Sequence, residues 1–172
     1  MDDAPMTQET SAIDVVVEIP RGSRNKYEYD HELHQIRLDR RLFSATVYPA
    51  DYGFVPDTLA EDGDPLDALV LVEDPTFPGC VVRSRPVGVL WMQDENGRDA
   101  KLICVPVSEP IWQGVVELED LPTHLLDEIR HFFEVYKVLE PGKQSSTIGY
   151  GGSADAMAEL AASRERARGV AR

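Results

Sequence analysis

The sequence predicts a mainly β domain that is closed by C-terminal helices, an α+β arrangement. Between residues 13 and 111, short runs rich in β-branched residues are separated by Pro and Gly, and no helical pattern interrupts them. After Leu121 the apolar residues take the offsets of 3, 4 and 7 that are typical of an amphipathic helix. Several short strands without intervening helices favour a small closed barrel or a sandwich. A chain of 172 residues without internal repeats is expected to form one domain.

The strand-like segments follow one another from residue 13 to about residue 112, which we take as the barrel. The first segment ends at Pro20, and the second turns back near His31–Leu33 and so supplies two strands. A continuous apolar run comes next, and the last two strands are joined by a turn-rich connection. In order, the segments are IDVVVEIP, YEYDHELHQIRLD, DALVLVE, VVRSRPVGVLWMQDE and AKLICVPV, with DENGRDA as the connection.

Two helices are predicted after the strands, at about residues 123–137 and 153–168. In the first helix, Thr123 is a candidate N-cap and Pro141-Gly142 ends the element. The second helix carries several Arg residues in its last turns, which suits a helix C-terminus, and the GYGGS before it is predicted to be a flexible joint. Residues 1–12 are predicted to form a flexible tail, which leaves residues 13–172 as the single domain. The apolar stripe of the first helix consists of Leu125, Leu126, Ile129, Phe132, Phe133 and Tyr136.

The composition disfavours several classes of partner. Lys and Arg number 17 and Asp and Glu number 31, and the resulting net charge of −14 argues against binding to nucleic-acid phosphates. No apolar run of about 18 residues occurs, so a membrane span is not expected. The N-terminal residues are acidic and polar, unlike a secretory signal, and we therefore expect a cytoplasmic protein. Cys80 and Cys104 lie in apolar surroundings and are expected to be buried and reduced.

A group of acids stands immediately before the apolar run DALVL. Asp62, Asp64 and Asp67 follow the spacing D-x-D-x-x-D, and residues two apart in an extended segment point the same way. Converging carboxylates repel one another and raise their own pKa values, and a hard cation such as Mg²⁺ removes that cost. A solvated turn, in which Asp side chains bond to the backbone, explains the motif alone equally well. A calcium loop is disfavoured because Asp67 stands where the EF-hand pattern requires Gly.

Further charged and aromatic side chains occur at strand positions and turns. Lys26 and Glu28 are two residues apart and therefore share one face of a strand. Each of these residues has an ordinary structural explanation as a surface ion pair, a polar hairpin tip or a strand aromatic. Taken together, acids beside Lys, Arg and Tyr predict binding of metal ions with a phosphorylated anion. The remaining members of the set are Glu18, Arg40, Tyr48, Tyr52, Asp94, Asp99 and Lys101.

These stretches resemble, in the same order, the conserved blocks of the soluble family I inorganic pyrophosphatases of the bacterial type. The match runs from about Asp14 to Lys143, through EIPRGSRNKYEYD, LDR, YPADYGF, DGDPLDALVL, DENGRDAKLICVP and HFFEVYKVLEPGK. The resemblance implies a small five-stranded OB-like closed β-barrel packed by two α-helices. It implies hydrolysis of pyrophosphate to two orthophosphates by a metal-activated water, which attacks in line without a covalent intermediate. It also implies several Mg²⁺ ions per site, with Mn²⁺ or Zn²⁺ as possible substitutes, and a homohexamer.

The resemblance implies a role for each candidate residue. Asp64 is similar to the general base beside the attacking water. The implied metal ligands are Asp62, Asp67, Asp99, Asp94, Glu28 and Glu18. The implied substrate-binding groups are Lys26, Arg40, Tyr52, Tyr136 and Lys137, of which Arg40, Tyr136 and Lys137 also act in catalysis, while Tyr48, Lys101 and Lys143 are implied as supporting residues. The segment QSSTIGY departs from the family pattern, with Tyr150 where Trp is common.

One alternative stands beside the enzyme, namely a non-catalytic module of OB type that binds divalent cations or polyphosphate. It predicts tight cation binding without turnover, and the presence of both Arg40 and Lys137 disfavours it. A nucleic-acid binder of OB type is disfavoured by the net charge of −14.

Overall fold

The computed structural model describes residues 11–171, which contain eight strands and two α-helices. Most of the predicted flexible tail lies outside the described residues. Two short 3-10 turns, Pro110–Trp112 and Leu118–Asp120, precede the first helix. The strands are β1 (Ile13–Ile19), β2 (Asn25–Asp30), β3 (Gln35–Arg41), β4 (Asp51–Phe54), β5 (Asp67–Val70), β6 (Val81–Asp94), β7 (Gly97–Pro106) and β8 (Ser145–Gly151), and the helices are α1 (Thr123–Val135) and α2 (Ser153–Val170).

Five of the strands close a barrel. The order is β1, β4, β5, β7 and β6, and residues 13–16 of β1 pair with residues 81–84 of β6 to complete the ring. The β5–β7 pair is parallel, and the other pairs of the ring are antiparallel. β8 extends the sheet beyond β6, and β2 pairs with β3 in a separate hairpin. The prediction of a five-stranded barrel with two helices is therefore confirmed.

β5 and most of β7 are buried on both faces, which explains their continuous apolar runs, whereas buried and more exposed residues alternate along β1. Neighbouring residues of a strand point to opposite faces, so they enter different clusters. Leu69 of β5 packs in one cluster with Phe132 of α1. Ala68, its neighbour, packs in the other cluster with Leu160 of α2. Each helix therefore completes one of the two clusters.

Two local predictions are wrong. GYGGS is not a flexible joint, because β8 continues through Gly151 and its pairing with β6 holds the glycines in a strand. The Tyr150 hydroxyl also donates a hydrogen bond of 2.7 Å to the carbonyl oxygen of Leu126 in α1. Thr123 is not the N-cap, because Pro122 occupies that position and its carbonyl accepts the first hydrogen bond of the helix, from the backbone N–H of Leu125.

The cysteines and the helices test two smaller expectations. Cys104 is buried in β7, as expected, whereas Cys80 is partly exposed because it precedes the outer end of β6. Both cysteines are free. Neither α1 nor α2, the helices in the described part of the chain, is long and apolar enough to cross a membrane.

The close approach of β4 to β1 predicts a strict requirement for glycine at position 53. A Cβ atom on Gly53 would lie 1.9 Å from the carbonyl oxygen of Val16. Gly53→Ala is therefore expected to lower the free energy of unfolding by about 3 kcal/mol, measured by urea denaturation. Gly114→Ala is the matched control, because a Cβ there meets no atom within 4 Å and the free energy is expected to change by less than about 1 kcal/mol. Equal stability of the two variants would contradict the close approach.

Candidate active site

One open pocket of about 420 Å³ gathers almost all of the predicted site residues. Tyr48 is the exception: it is buried behind the pocket, with its ring 5.4 Å from the Tyr52 ring and 4.7 Å from the Phe132 ring. The residues that line the pocket come from segments far apart in the chain, and the closed barrel brings them together. They are Glu18, Lys26, Glu28, Arg40, Tyr52, Asp62, Asp64, Asp67, Asp94, Asp99, Lys101, Tyr136, Lys137 and Lys143.

Lys101 is the centre of the acidic side of the pocket. Its Nζ donates to Asp99 Oδ2 at 2.7 Å, to the Tyr52 hydroxyl at 2.9 Å and to Asp67 Oδ2 at 3.0 Å. The parallel register of β5 and β7 sets Lys101 directly beside Asp67. Burial by itself would lower the pKa of Lys101, but Asp67, Tyr52 and Asp99 outweigh burial and hold this pKa well above its usual value. The ammonium is therefore charged.

The carboxylates on this side of the pocket are crowded, and Glu18 and Asp67 are also partly shielded from water, whereas Asp62 and Asp64 remain exposed. Burial raises the pKa of Glu18 to about 7, although the backbone N–H of Tyr29, 2.7 Å from Glu18 Oε2, lowers it in part. Burial also raises the pKa of Asp62, of Asp64 and of Asp67, and in each case another carboxylate adds to the effect. Such raised pKa values are expected where acids converge and repel one another. These side chains therefore favour any cation that enters.

No three His, Cys, Asp or Glu side chains among the described residues are arranged to hold a metal ion as they stand. Lys101 instead bonds to Asp67 and Asp99 and offsets part of their charge. The chemistry of the donor set nevertheless fits a hard divalent cation, because carboxylate oxygens are the ligands that Mg²⁺ prefers in proteins. Asp62, Asp67 and Asp99 all line this pocket, so their carboxylates are among those that a cation entering it could reach.

Asp62 and Asp64 lie on an exposed loop before β5. The backbone N–H of Asp64 donates to Asp62 Oδ1 at 3.0 Å, so the turn that the motif suggested does form. Gly63 between them has a φ of 91°, which a residue with a side chain rarely adopts. The turn brings both carboxylates to the pocket, and the two explanations of the motif are therefore compatible.

The basic side of the pocket is formed by Lys26, Arg40 and Lys137, and each of these cations is paired with acids. Lys26 contacts Glu28 and lies 3.3 Å from Asp39 Oδ2. Lys137 Nζ lies 3.0 Å from Glu95 Oε2 and 3.2 Å from Asp94 Oδ2. The paired positions of Lys26 and Arg40 on β2 and β3 place their side chains side by side. The pocket thus contains positively charged side chains that could bind an anion. In the structure, neighbouring acids pair with each of them.

Arg40 is held by a buried carboxylate that lies 100 residues further along the chain. Its Nη2 donates to Glu140 Oε2 at 3.1 Å, and its Nε lies 2.7 Å from Glu140 Oε1 as a charge contact without good hydrogen-bond alignment. Arg40 also contacts Asp39. Glu140 is only 5% exposed, and Lys143 Nζ lies 3.4 Å from its Oε1. Glu140 therefore fixes the direction in which Arg40 enters the pocket.

The polar residues of the site that the sequence analysis missed include His31, Asp39, Glu95 and Glu140. The first three line the pocket, and Glu140 supports Arg40 from behind. Asp39 and Glu140 lie within the blocks LDR and HFFEVYKVLEPGK, and Glu95 lies within DENGRDAKLICVP, so the signal was present but not separable from a solvated acid. His31 gave no signal, because it stands alone at a hairpin turn.

The buried pair predicts that Glu140 stabilises the fold. Glu140→Gln keeps the size of the side chain but removes its charge, which leaves Arg40 without its buried partner. The free energy of unfolding is expected to fall by about 1–3 kcal/mol, measured by urea denaturation. Glu128→Gln, at an exposed position of α1, is the control and is expected to change it by less than about 0.5 kcal/mol. A Glu140 variant as stable as this control would refute the role of the pair.

Comparisons with known protein sequences point to one family. The family model described as inorganic pyrophosphatase matches residues 15–168. A curated inorganic pyrophosphatase of Methanosarcina acetivorans is 61% identical over 138 residues, which cover 80% of this chain and 82% of that protein. One from Streptomyces coelicolor is 54% identical over 153 residues, which cover 89% of this chain and 94% of that protein.

Solved structures give the same answer for the fold. The inorganic pyrophosphatase of Helicobacter pylori is similar with a TM-score of 0.91 and 42% identity, over 97% of this chain and 99% of that one. That of Thermus thermophilus is similar with a TM-score of 0.90 and 46% identity, over 98% of this chain and 95% of that one. A family match over most of the chain and relatives of this identity, together with the pocket, lead to one assignment. This chain belongs to the inorganic pyrophosphatase family.

Proposed function

We propose that this chain is an inorganic diphosphatase, which hydrolyses pyrophosphate to two orthophosphates with the help of divalent cations. The observation that carries the proposal is the pocket in which seven acidic candidates lie together with Lys26, Arg40, Lys137 and two tyrosines. Such a mixture suits metal ions together with a phosphorylated anion. A non-catalytic cation-binding module would need the acids alone, and the ordered basic side of the pocket makes it the weaker candidate.

The acids are proposed to hold several cations, with Mg²⁺ as the preferred ion and Mn²⁺ or Zn²⁺ as substitutes. Asp62, Asp67 and Asp99 would hold the tightest one, and Asp94, Glu28 and Glu18 would contribute to further ones. When bound, such cations neutralise the charge of pyrophosphate and lower the pKa of a coordinated water. Lys101 keeps Asp67 and Asp99 in place, since both carboxylates bond to its Nζ.

Asp64 is proposed as the general base. Burial, Asp67 and Glu28 raise the pKa of Asp64, which makes its carboxylate a better proton acceptor than an exposed one. It would take the proton of the water that attacks phosphorus in line, and the leaving phosphate would depart without a covalent intermediate. The role itself is the one that the resemblance to the family implies for Asp64.

The basic groups are proposed to bind and stabilise the phosphates. Pyrophosphate would compete for the ammonium groups of Lys26 and Lys137. These groups are paired with Glu28, Asp39, Glu95 and Asp94. Lys137 and Arg40 would stabilise the charge that develops on phosphate oxygens as the bond breaks. Tyr52 and Tyr136 would donate hydrogen bonds, with Tyr48 and Lys143 as supports.

Because both cysteines are free, we also propose a cytoplasmic location.

The general base can be tested by phosphate release from pyrophosphate in the presence of Mg²⁺. Asp64→Asn keeps the shape of the side chain but cannot accept the proton, and kcat is expected to fall by roughly 10²–10⁴-fold. Glu61→Gln, an exposed position three residues earlier in the same segment, is expected to retain the activity of the parent. Chelation by EDTA is expected to abolish release, and added Mg²⁺ to restore it. An inactive parent, or a fully active Asp64 variant, would contradict the proposal.

The chain is also proposed to form a homohexamer. Large apolar side chains stay exposed in the single chain, among them Ile111, Val138 and Leu139, and association would cover such surface. Light scattering with size-exclusion chromatography is expected to give a mass near six times 19.2 kDa. A species with the mass of one chain would contradict the hexamer but leave the proposed activity intact.

A further inference from the structure

The segment from Asp57 to Asp64, which we name the acid loop, brings two carboxylates to the pocket. Thr58 closes its base, because Thr58 Oγ1 donates to the Val55 carbonyl at 2.6 Å and accepts the backbone N–H of Leu66 at 2.9 Å. At its tip the backbone N–H of Ala60 donates to the carbonyl of Asp64 at 2.7 Å. These bonds tie the base of the loop to its flanking residues and close the loop on itself.

The acid loop is attached to α2 through Leu59. The backbone N–H of Leu59 donates to the Ser163 carbonyl at 3.0 Å. The Leu59 carbonyl accepts a hydrogen bond of 3.2 Å from Arg166 Nε. Both polar backbone groups of Leu59 are therefore bonded to one helix, and Arg166 supplies the side-chain half of this attachment.

Glu159 holds Arg166 in the position that reaches Leu59. Glu159 Oε1 accepts a hydrogen bond of 2.7 Å from Arg166 Nη2 and one of 3.2 Å from Ser163 Oγ. Offsets of 4 and 7 place Glu159, Ser163 and Arg166 on one face of the helix. The side chains of Glu159 and Arg166 are 14% and 29% exposed, so water screens this pair less than it screens a surface pair.

Glu159 also lies next to the segment that supplies Asp99. It lines a small cavity together with Ala60 of the acid loop on one side and with Trp91, Arg98 and Asp99 on the other. The same helix face thus contacts the loop that carries Asp62 and borders the strand that carries Asp99. No role for α2 in the site was expected from the sequence.

We propose that Arg166, held by Glu159, is a positioning residue that fixes the acid loop and so sets the separation of Asp62 from Asp67 and Asp99. The inference rests on the proposed function, in which these three carboxylates hold the tightest divalent cation. Ligands of such a site must keep their places to within about 0.5 Å, which exposed loops do not achieve without support. Arg166 lies outside the pocket and touches neither substrate nor cation.

The test measures binding of Mg²⁺ alone, by calorimetry without substrate. Arg166→Met removes the guanidinium but keeps an aliphatic stem that can still cover the helix. The Kd for Mg²⁺ is expected to rise roughly tenfold, as for other residues that support metal ligands, and the Mg²⁺ concentration for half-maximal phosphate release is expected to rise with it. Arg168→Met, which removes an exposed partner of Glu165 on the same helix, is expected to leave both values unchanged.

The outcomes separate positioning from general stability. If Arg166 only stabilised the fold, the variant would melt at a lower temperature with and without Mg²⁺ and would keep the Kd of the parent, which overturns the inference. If Arg166→Met does not fold, Glu159→Gln replaces it, with the same expected rise in Kd, and an unchanged Kd overturns the inference again. An inactive parent overturns the proposed function and this inference together. An active parent whose Kd equals that of the variant overturns this inference alone.

Discussion

The bonds of the Lys101 ammonium to Tyr52, Asp67 and Asp99 are the interaction on which the rest of the site depends. An unpaired charge at this depth would destabilise the fold strongly. The ion pairs between Lys101 and its acids must therefore be made as the barrel folds. The parallel pairing of β5 and β7 provides for this, since it places Lys101 and Asp67 at the same level. The acidic side of the pocket can therefore be built by the chain alone, before any cation is bound.

Charge balance extends across the whole pocket. The chain carries a net charge of −14, yet Lys26, Arg40 and Lys137 are all close to acids within the site. Under the proposed function, a free pyrophosphate anion approaching this acidic protein would be repelled, whereas one already neutralised by cations would not. The phosphates can then replace the acids at the basic side chains, while the metal cations bind to the acids. Little net charge has to be buried in this exchange.

Much of this arrangement was accessible from the sequence, and the misses share a physical cause. The strand-like segments predicted a small closed barrel or a sandwich, and the resemblance to the family implied a five-stranded barrel with the acid motif in its site. Strand closure could not be derived from periodicity, because the pairing of β1 with β6 joins distant segments. Glu140 was missed for the same reason: its burial is created by Arg40, 100 residues away. β8 was hidden because glycines weaken the local strand pattern, and only its pairing with β6 makes it a strand.

Closure of the barrel also determines when the parts of the site can come together during synthesis. β1 is the first strand of the chain, but its partner β6 begins at Val81, and β7, which carries Asp99 and Lys101, comes later still. Contacts between segments so far apart in the chain form slowly, since loop-closure entropy must be lost before they stabilise anything. A nascent chain that ends before Gly97 contains the acid motif but not the strand that carries Lys101. Until β7 has been synthesised, we expect the acids to lie in unfolded chain exposed to water. They form a binding pocket only after the barrel has closed.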